Sequence, residues 1–198
     1  MKGSSYKRAA GMTIVEIVMV ILILGIVLAA TTQAISQMGL IGSRANSEMK
    51  ALALAQAYSD EIMSRAYDEF TPTGSVPPCG APSAAGCTTA SYFGPETTVS
   101  GSSCLRYNSS GSESTACETV KAVFDDVDDY DGLDEGADSV QAKDLTNSSG
   151  EVRQGYEGFR VEVTVDQLSG VSGVKRIMIA VTQPNKQVLD FTVYKVNF

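Results

Sequence analysis

Histidine and tryptophan are both absent from this 198-residue chain. The lack of histidine removes the base of Ser-His and Cys-His nucleophile pairs, and it removes the commonest zinc ligand. The sequence also contains no phosphate-binding loop. Because these absences close the usual routes to catalysis, we expect a protein that is not an enzyme.

Positive charge is scarce as well. The chain holds 15 Lys and Arg residues against 23 Asp and Glu residues, a formal net charge of −8. Three of the basic residues (Lys2, Lys7 and Arg8) lie before Gly11 in a segment without acids, which leaves twelve basic against 23 acidic side chains, or −11, in the rest. Such an acidic chain is a poor candidate for unaided nucleic-acid binding, so we expect no nucleic-acid partner.

The most informative stretch joins this basic start to a long apolar run. Gly11 ends the basic segment, and Met12 begins a run that is nearly pure hydrocarbon from Ile17 to Ala30. As a helix, residues 12–30 would be roughly 28 Å long, enough to cross a bilayer. The carboxylate of Glu16 near the start of the run is costly in lipid, and we therefore expect it to have a cationic partner.

These features together resemble the prepilin signature of type IV pilins and type II secretion pseudopilins. The resemblance implies that a membrane peptidase cuts between Gly11 and Met12 and that the new N-terminus at Met12 is methylated. It also implies that Glu16 pairs with the terminal amine of a neighbouring subunit during assembly. The implied fold is α+β, with a long N-terminal helix, half transmembrane and half amphipathic, packed on a C-terminal antiparallel sheet. Methionine at position 12 departs from the commoner phenylalanine of the family.

Two other interpretations of the N-terminal segment remain open. A secretory signal peptide has a similar basic start and apolar core, but it would leave Glu16 unexplained. A plain membrane anchor fits the length of the run. In both the pilin and anchor interpretations, the basic residues before Gly11 keep the N-terminus in the cytoplasm and place the rest of the chain outside.

The helix is predicted to continue well beyond the membrane segment, to about residue 67, because no proline occurs before Pro72. Beyond residue 30, apolar and small residues recur at steps of three or four, the pattern of an amphipathic helix. We expect this stripe to be the side on which the globular domain packs. Its members are Met38, Ile41, Ala45, Met49, Leu52, Ala55, Ser59, Ile62 and Ala66.

The four cysteines all lie outside the membrane under this orientation, where disulfides are the default. They are Cys79, Cys87, Cys104 and Cys117. Of the three possible pairings, we favour the sequential one, which closes two short loops. A zinc site is the alternative, although the spacings do not match the usual Cys-x-x-Cys pattern.

The end of the chain is predicted to form an antiparallel meander. Apolar and polar residues alternate from Phe159 to Asp166, and again in the segments Val174–Thr182 and Val188–Val196. Short turns separate the three segments, as in adjacent antiparallel strands with one buried face. Earlier in the chain, short strands are predicted at 90–93 and 104–107 within an otherwise irregular segment rich in Pro, Gly, Ser and Thr.

An acidic run between these regions carries seven acids within residues 124–135. Such density is unfavourable without screening or a cation, and a calcium ion suits carboxylate loops. The candidate calcium ligands are Asp126, Asp128, Asp129, Asp131 and Asp134. The spacing departs from that of an EF-hand loop, so a looser calcium loop, a solvated acidic loop and a docking patch for a basic partner all remain open.

The acidic run, followed by the strand that starts at Gly158, is also similar to minor pilins of the mannose-sensitive haemagglutinin (MSHA) pilus. This resemblance implies a minor subunit that supports pilus assembly and surface adhesion. The implied division is a leader at 1–11, a filament-core helix at 12–30, an amphipathic half at 31–70 and a globular domain at 71–198. Within that domain lie the variable loop 71–118, the acidic loop 124–138 and the strands of 156–198.

The implied partners are other major and minor pilins, the prepilin peptidase and the assembly machinery of the inner membrane. The subunit would wait in the inner membrane as a single-pass protein and then enter the pilus at the cell surface. The main alternative is a minor pseudopilin of a type II secretion system. A membrane-anchored sensor or periplasmic binding protein that uses the acidic loop for calcium is a third hypothesis.

Overall fold

The computed structural model describes residues 11–71, 77–108, 110–141 and 143–197. Most of the leader predicted at 1–11 therefore lies outside the described residues. The chain divides after Asn46 into two units. A single 50-residue helix, α1 (Ile14–Met63), begins in the first unit and ends in the second.

The first unit is helical and apolar. Every described side chain from 11 to 46 is exposed, including the large aliphatic residues of the apolar run. Apolar side chains are normally buried, so a helix this long with an exposed hydrocarbon surface requires a nonaqueous environment or a partner. By length and composition, this helix is able to cross a membrane.

The described residues of the second unit form two antiparallel sheets. A small sheet has the order β1-β2-β3, and a larger sheet has the order β4-β5-β6-β7. The strands are β1 (Val99–Ser100), β2 (Ser103–Asn108), β3 (Gly111–Thr115), β4 (Asp134–Gly136), β5 (Arg160–Gln167), β6 (Val174–Thr182) and β7 (Val188–Val196). In the part of the chain that the structure describes, three short 3₁₀ helices occupy Ala90–Tyr92, Lys121–Val123 and Asp128–Tyr130.

The core of this unit lies between the last part of α1 and one face of the larger sheet. The buried helical residues are Ala51, Leu54, Ala55, Tyr58 and Ile62. They pack with alternate residues of β5 and β6, namely Val161, Val163, Val165, Ile177, Ile179 and Val181. The predicted meander is confirmed, with β6 and β7 at the predicted bounds, because alternating residues are buried in β6 and partly buried in β7. The coarse α+β architecture is confirmed with it.

The buried stripe of α1 differs from the predicted one. Ala55 and Ile62 are buried as expected, but Met49 and Leu52 are exposed and the core uses Leu54 and Tyr58 instead. Several faces of this helix carry alanine and other small residues. Apolar spacing alone therefore does not determine the rotation of the helix about its axis, that is, which face it buries. Tyr58 settles the rotation, because its ring is buried while its hydroxyl donates to the carboxylate of Glu135.

Two other sequence predictions need correction. The helix ends at Met63 rather than near residue 67, because the N–H of Ala66 already bonds to the carbonyl of Asp125. The segment Ala90–Tyr92 is a 3₁₀ helix and not a strand. The strand predicted at 104–107 is confirmed within β2.

Two disulfides hold the irregular segment together. Cys79 bonds to Cys87 and Cys104 bonds to Cys117, with Cα–Cα distances of 5.0 and 4.9 Å. The sequential pairing favoured by the sequence is thus the pairing of the structure. Each bond closes a short loop, which lowers the entropy of the unfolded chain.

Candidate functional site

The start of α1 places a carboxylate in the first helical turn. The side-chain hydroxyl of Thr13 accepts a hydrogen bond from the backbone N–H of Glu16 at 3.3 Å, which caps the helix. Glu16 is the acidic residue of this turn, where the helix dipole favours negative charge. No ion pair joins Glu16 to another described residue. The predicted cleavage and methylation positions, Gly11 and Met12, are exposed just before the cap.

The globular unit buries many of its acids, and one buried group surrounds a lysine. We call Lys175, Asp68 and Asp128 the Lys175 centre. The ammonium group donates to Asp128 and, at 3.1 Å, to Asp68, while only 1% of Lys175 is exposed. It also donates to the backbone carbonyl of Tyr67 at 2.7 Å. Neighbouring carboxylates therefore hold the ammonium charged despite its burial, and they raise the pKa of Lys175.

A second buried network joins α1 to the acidic region. Lys121 lies 3.3 Å from a carboxylate oxygen of Glu61 and 3.4 Å from one of Glu135. Arg153 contacts the other oxygen of Glu61 at 3.1 Å. Two acids thus meet two cations, and the hydroxyl of Tyr58 adds a bond of 2.6 Å to Glu135. This balance fixes the end of α1 on the sheet by charge-assisted hydrogen bonds.

A third group is acidic without a matching cation. Glu96, Glu118 and Asp129 are all buried, and each offers an oxygen within 4.8 Å of the others. We call them the three-carboxylate group. No Lys or Arg of the described residues forms an ion pair with any of the three.

Burial and mutual repulsion suppress ionisation in this group. Burial, followed by the charge of Asp129, raises the pKa of Glu96 to about 8. Burial and the contacts with Asp129 and Glu96 raise the pKa of Glu118 to about 11. The pKa of Asp129 is also raised, chiefly by burial. At neutral pH, the group therefore needs protons or a cation to offset its charge.

The structure assigns the five carboxylates that the sequence proposed as calcium ligands to different partners. Asp128 belongs to the Lys175 centre, and Asp134 forms two bonds to Arg160 at 2.7 and 2.9 Å. Asp126 accepts the N–H of Asp128, and Asp131 accepts the N–H of Val165, each at 2.8 Å. Among the five, only Asp129 lies in the three-carboxylate group.

Sequence reasoning missed two of the three members of this group. Glu96 and Glu118 lie in irregular segments outside the acidic run, and no local pattern marks them. Two other groupings have simpler explanations. Asp68 lies near Cys79 and Cys87, but both thiols form a disulfide. Glu69 lies near Asp125 and Asp126, but Arg106 pairs with it at 2.8 Å.

Comparisons with known proteins give no match for this chain. No protein-family model, no curated protein and no solved structure matches the chain.

Proposed function

We propose that this chain is a minor pilin subunit that is incorporated into a type IV pilus of the MSHA type, most similar to the D-type minor pilin, where it supports assembly and surface adhesion. The observation that carries the proposal is the exposed hydrocarbon surface of α1 with a single acid, Glu16, in its first turn. The same helix ends on an antiparallel meander, which is the order of elements in a pilin.

Processing creates the partner that the carboxylate needs. A cut after Gly11 leaves a positively charged amine at Met12, and a methyl group keeps that charge. In the filament core, apolar helices replace lipid contacts, and Glu16 of one subunit neutralises the amine of the next. Low dielectric strengthens this pair, while the desolvation cost of an unpaired charge disfavours wrong registers.

The mass of the native protein is the first test. In a strain with an active prepilin peptidase, we expect the mature chain to begin at Met12 and to carry one N-terminal methyl group. Without reduction, the same mass reports both disulfides. A native chain that still begins at residue 1 would contradict the proposal, as it would indicate a plain anchor.

Substitution of Glu16 by glutamine is the second test. Glu16→Gln retains the backbone N–H that binds Thr13, so the helix cap persists and only the charge is lost. We expect incorporation of the subunit into pili to fall by at least tenfold, because a buried ion pair loses one partner. Glu48→Gln is the matched control, since Glu48 is exposed on the same helix.

Pilus preparations that contain equal amounts of Glu16→Gln and wild-type subunit would refute the pairing.

A deletion strain distinguishes a minor pilin from a minor pseudopilin of a type II secretion system. Loss of surface pili and adhesion supports the pilin, whereas retention of exported enzymes inside the cell identifies a pseudopilin.

A further inference from the structure

The three-carboxylate group is built from three separate segments that are fixed to one another. The backbone N–H of Glu118 donates to the carbonyl of Glu96 at 3.0 Å, so these two residues lie side by side. Glu118 directly follows Cys117, whose disulfide to Cys104 restrains it. Asp129 accepts the N–H groups of Asp125 and Asp126, each at 2.9 Å, which orients its carboxyl group. The arrangement is therefore preorganised rather than a chance meeting of mobile side chains.

One oxygen in this group lacks a hydrogen-bond donor. Only 6% of Glu118 is exposed, and its Oε2 atom is buried without a partner among the described residues. A buried polar atom without a partner costs about 1–3 kcal/mol, more when it is charged, so it requires a physical reason. A metal ion that accepts this lone pair would supply that reason.

The spacing of the oxygens suits a large hard cation. Calcium binds oxygens at about 2.3–2.6 Å, so two oxygens on one calcium ion lie at most about 4.6–5.2 Å apart. The three carboxylates lie within 4.8 Å of one another, inside the upper limit. Magnesium binds oxygens at about 2.0–2.1 Å and demands near-ideal octahedral geometry, so it tolerates less well a ligand set drawn from three separate segments.

A cavity beside the group provides access and room for water ligands. Its volume is about 340 Å³, and its lining includes Glu118 and Asp129 together with Asp131 and Thr97. Calcium takes six to eight oxygen ligands, more than three carboxylates provide, so water must complete the shell. The lining also includes Lys143, an exposed cation whose side chain could offset part of the acidic charge instead.

We propose that Glu96, Glu118 and Asp129 bind one divalent cation, with calcium preferred over magnesium. The ion offsets two of the three negative charges of these buried acids, with which no cation of the described residues pairs. It also links the loop after the second disulfide to the acidic run. The site goes beyond the proposed pilin function and does not depend on it, because it lies wholly within the globular unit.

Calorimetric titration of the full chain in detergent micelles tests this site. The protein is first stripped with a chelator and then titrated with calcium chloride or magnesium chloride near neutral pH. We expect one calcium ion per chain with Kd between about 10⁻⁵ and 10⁻³ M, the range of sensor and extracellular sites. Glu118→Gln and Glu96→Gln are each expected to weaken calcium binding by at least tenfold, because even the loss of an outer-shell group commonly costs about 10–100-fold.

Glu113→Gln is the matched control, since Glu113 is exposed in the loop closed by the same disulfide. Its calcium affinity should equal that of the wild type. In chelator, Glu118→Gln should also raise the melting midpoint, because it removes a buried acid, and calcium should no longer shift that midpoint. If Glu118→Gln fails to fold, as judged by circular dichroism, Glu96→Gln decides the question.

Three results would overturn the proposal. The first is no heat of binding at millimolar calcium, which would leave protons or Lys143 as the compensating charge. The second is calcium binding that persists at full affinity in whichever of the Glu96 and Glu118 variants folds, which would place the ion elsewhere. The third is magnesium binding as tight as calcium binding, which would remove the calcium preference.

Discussion

Asp128 and Asp129 are neighbours in one 3₁₀ helix, yet they experience opposite electrostatic environments. The carboxylate of Asp128 meets the ammonium of Lys175, whereas that of Asp129 meets two further acids, Glu96 and Glu118. A 3₁₀ helix has three residues per turn, so successive side chains point about 120° apart. Adjacent acids in a dense run therefore serve different purposes, and their spacing in the sequence does not reveal which is which.

The two groups also differ in how they contribute to stability. The Lys175 centre contains its own cation, which offsets one of the two aspartate charges and donates to both carboxylates. The charge of the three-carboxylate group is offset from outside the fold, by protons or by the proposed ion. Its contribution to stability therefore depends on the pH and on the concentration of that ion. The first group behaves as a fixed structural element, and the second couples the fold to its surroundings.

Substitution of Lys175 is expected to cause the largest effect on stability, because it leaves the acids of the first group without a cation, like those of the second. Lys175→Met leaves Asp68 and Asp128 buried without a cation, and breaking a buried pair in this way costs about 3–5 kcal/mol. We expect that loss in the free energy of unfolding, measured with denaturant near neutral pH. The loss should shrink at acidic pH, because burial raises the pKa of Asp128 and this carboxyl group takes up a proton.

Arg176→Met is the matched control for this variant. Arg176 is the next residue of β6, and its partner Asp166 is partly exposed, so the pair is worth no more than about 1 kcal/mol. Equal destabilisation by the two substitutions would show that the Lys175 centre contributes no more than a surface pair.

The sequence was sufficient for the strands of the meander but not for the end of α1, the segment Ala90–Tyr92 or these groups. Alternation located β6 and β7 to the residue because one face of β6 is buried in the core and one face of β7 packs against it, partly buried. The rotation of α1 escaped prediction because small residues occur on several of its faces, and Tyr58 fixes it through a contact with Glu135 that the sequence does not show. Glu96 and Glu118 escaped for a similar reason, since only tertiary structure brings them to Asp129.

The second expected effect is a pH dependence of stability to which the three-carboxylate group contributes. A carboxyl group whose pKa is higher in the folded than in the unfolded chain contributes its full stability at pH values below the unfolded pKa. That contribution is lost as the pH rises through the folded pKa. For Glu96, the window runs from about 4.5 to about 8, and for Glu118 it extends to about 11. In chelator, the free energy of unfolding should therefore fall between about pH 5 and about pH 8, by at most about 1.4 kcal/mol per pH unit for each carboxyl group.

Calcium should flatten this dependence, because the bound ion replaces the protons. Glu118→Gln should reduce the slope in chelator, since the amide does not titrate in this range. A free energy of unfolding that stays constant, or rises, from pH 5 to pH 8 in chelator would show that the three carboxylates are ionised in the fold and compensated by other groups.

The smallest effect concerns Lys143, the cation at the rim of the cavity. Lys143→Gln removes a positive charge that opposes an entering cation, and its backbone bonds to Gly136 and Ser139 are unaffected by the change. Because Lys143 is exposed and solvent screens its charge, we expect calcium affinity to rise only about two- to fivefold. The gain should diminish at high salt, as a screened interaction must. If Lys143→Gln instead abolishes the stability of the chelated protein at neutral pH, then Lys143 is the counter-charge of the three acids, and the contrast between an internally and an externally compensated group disappears.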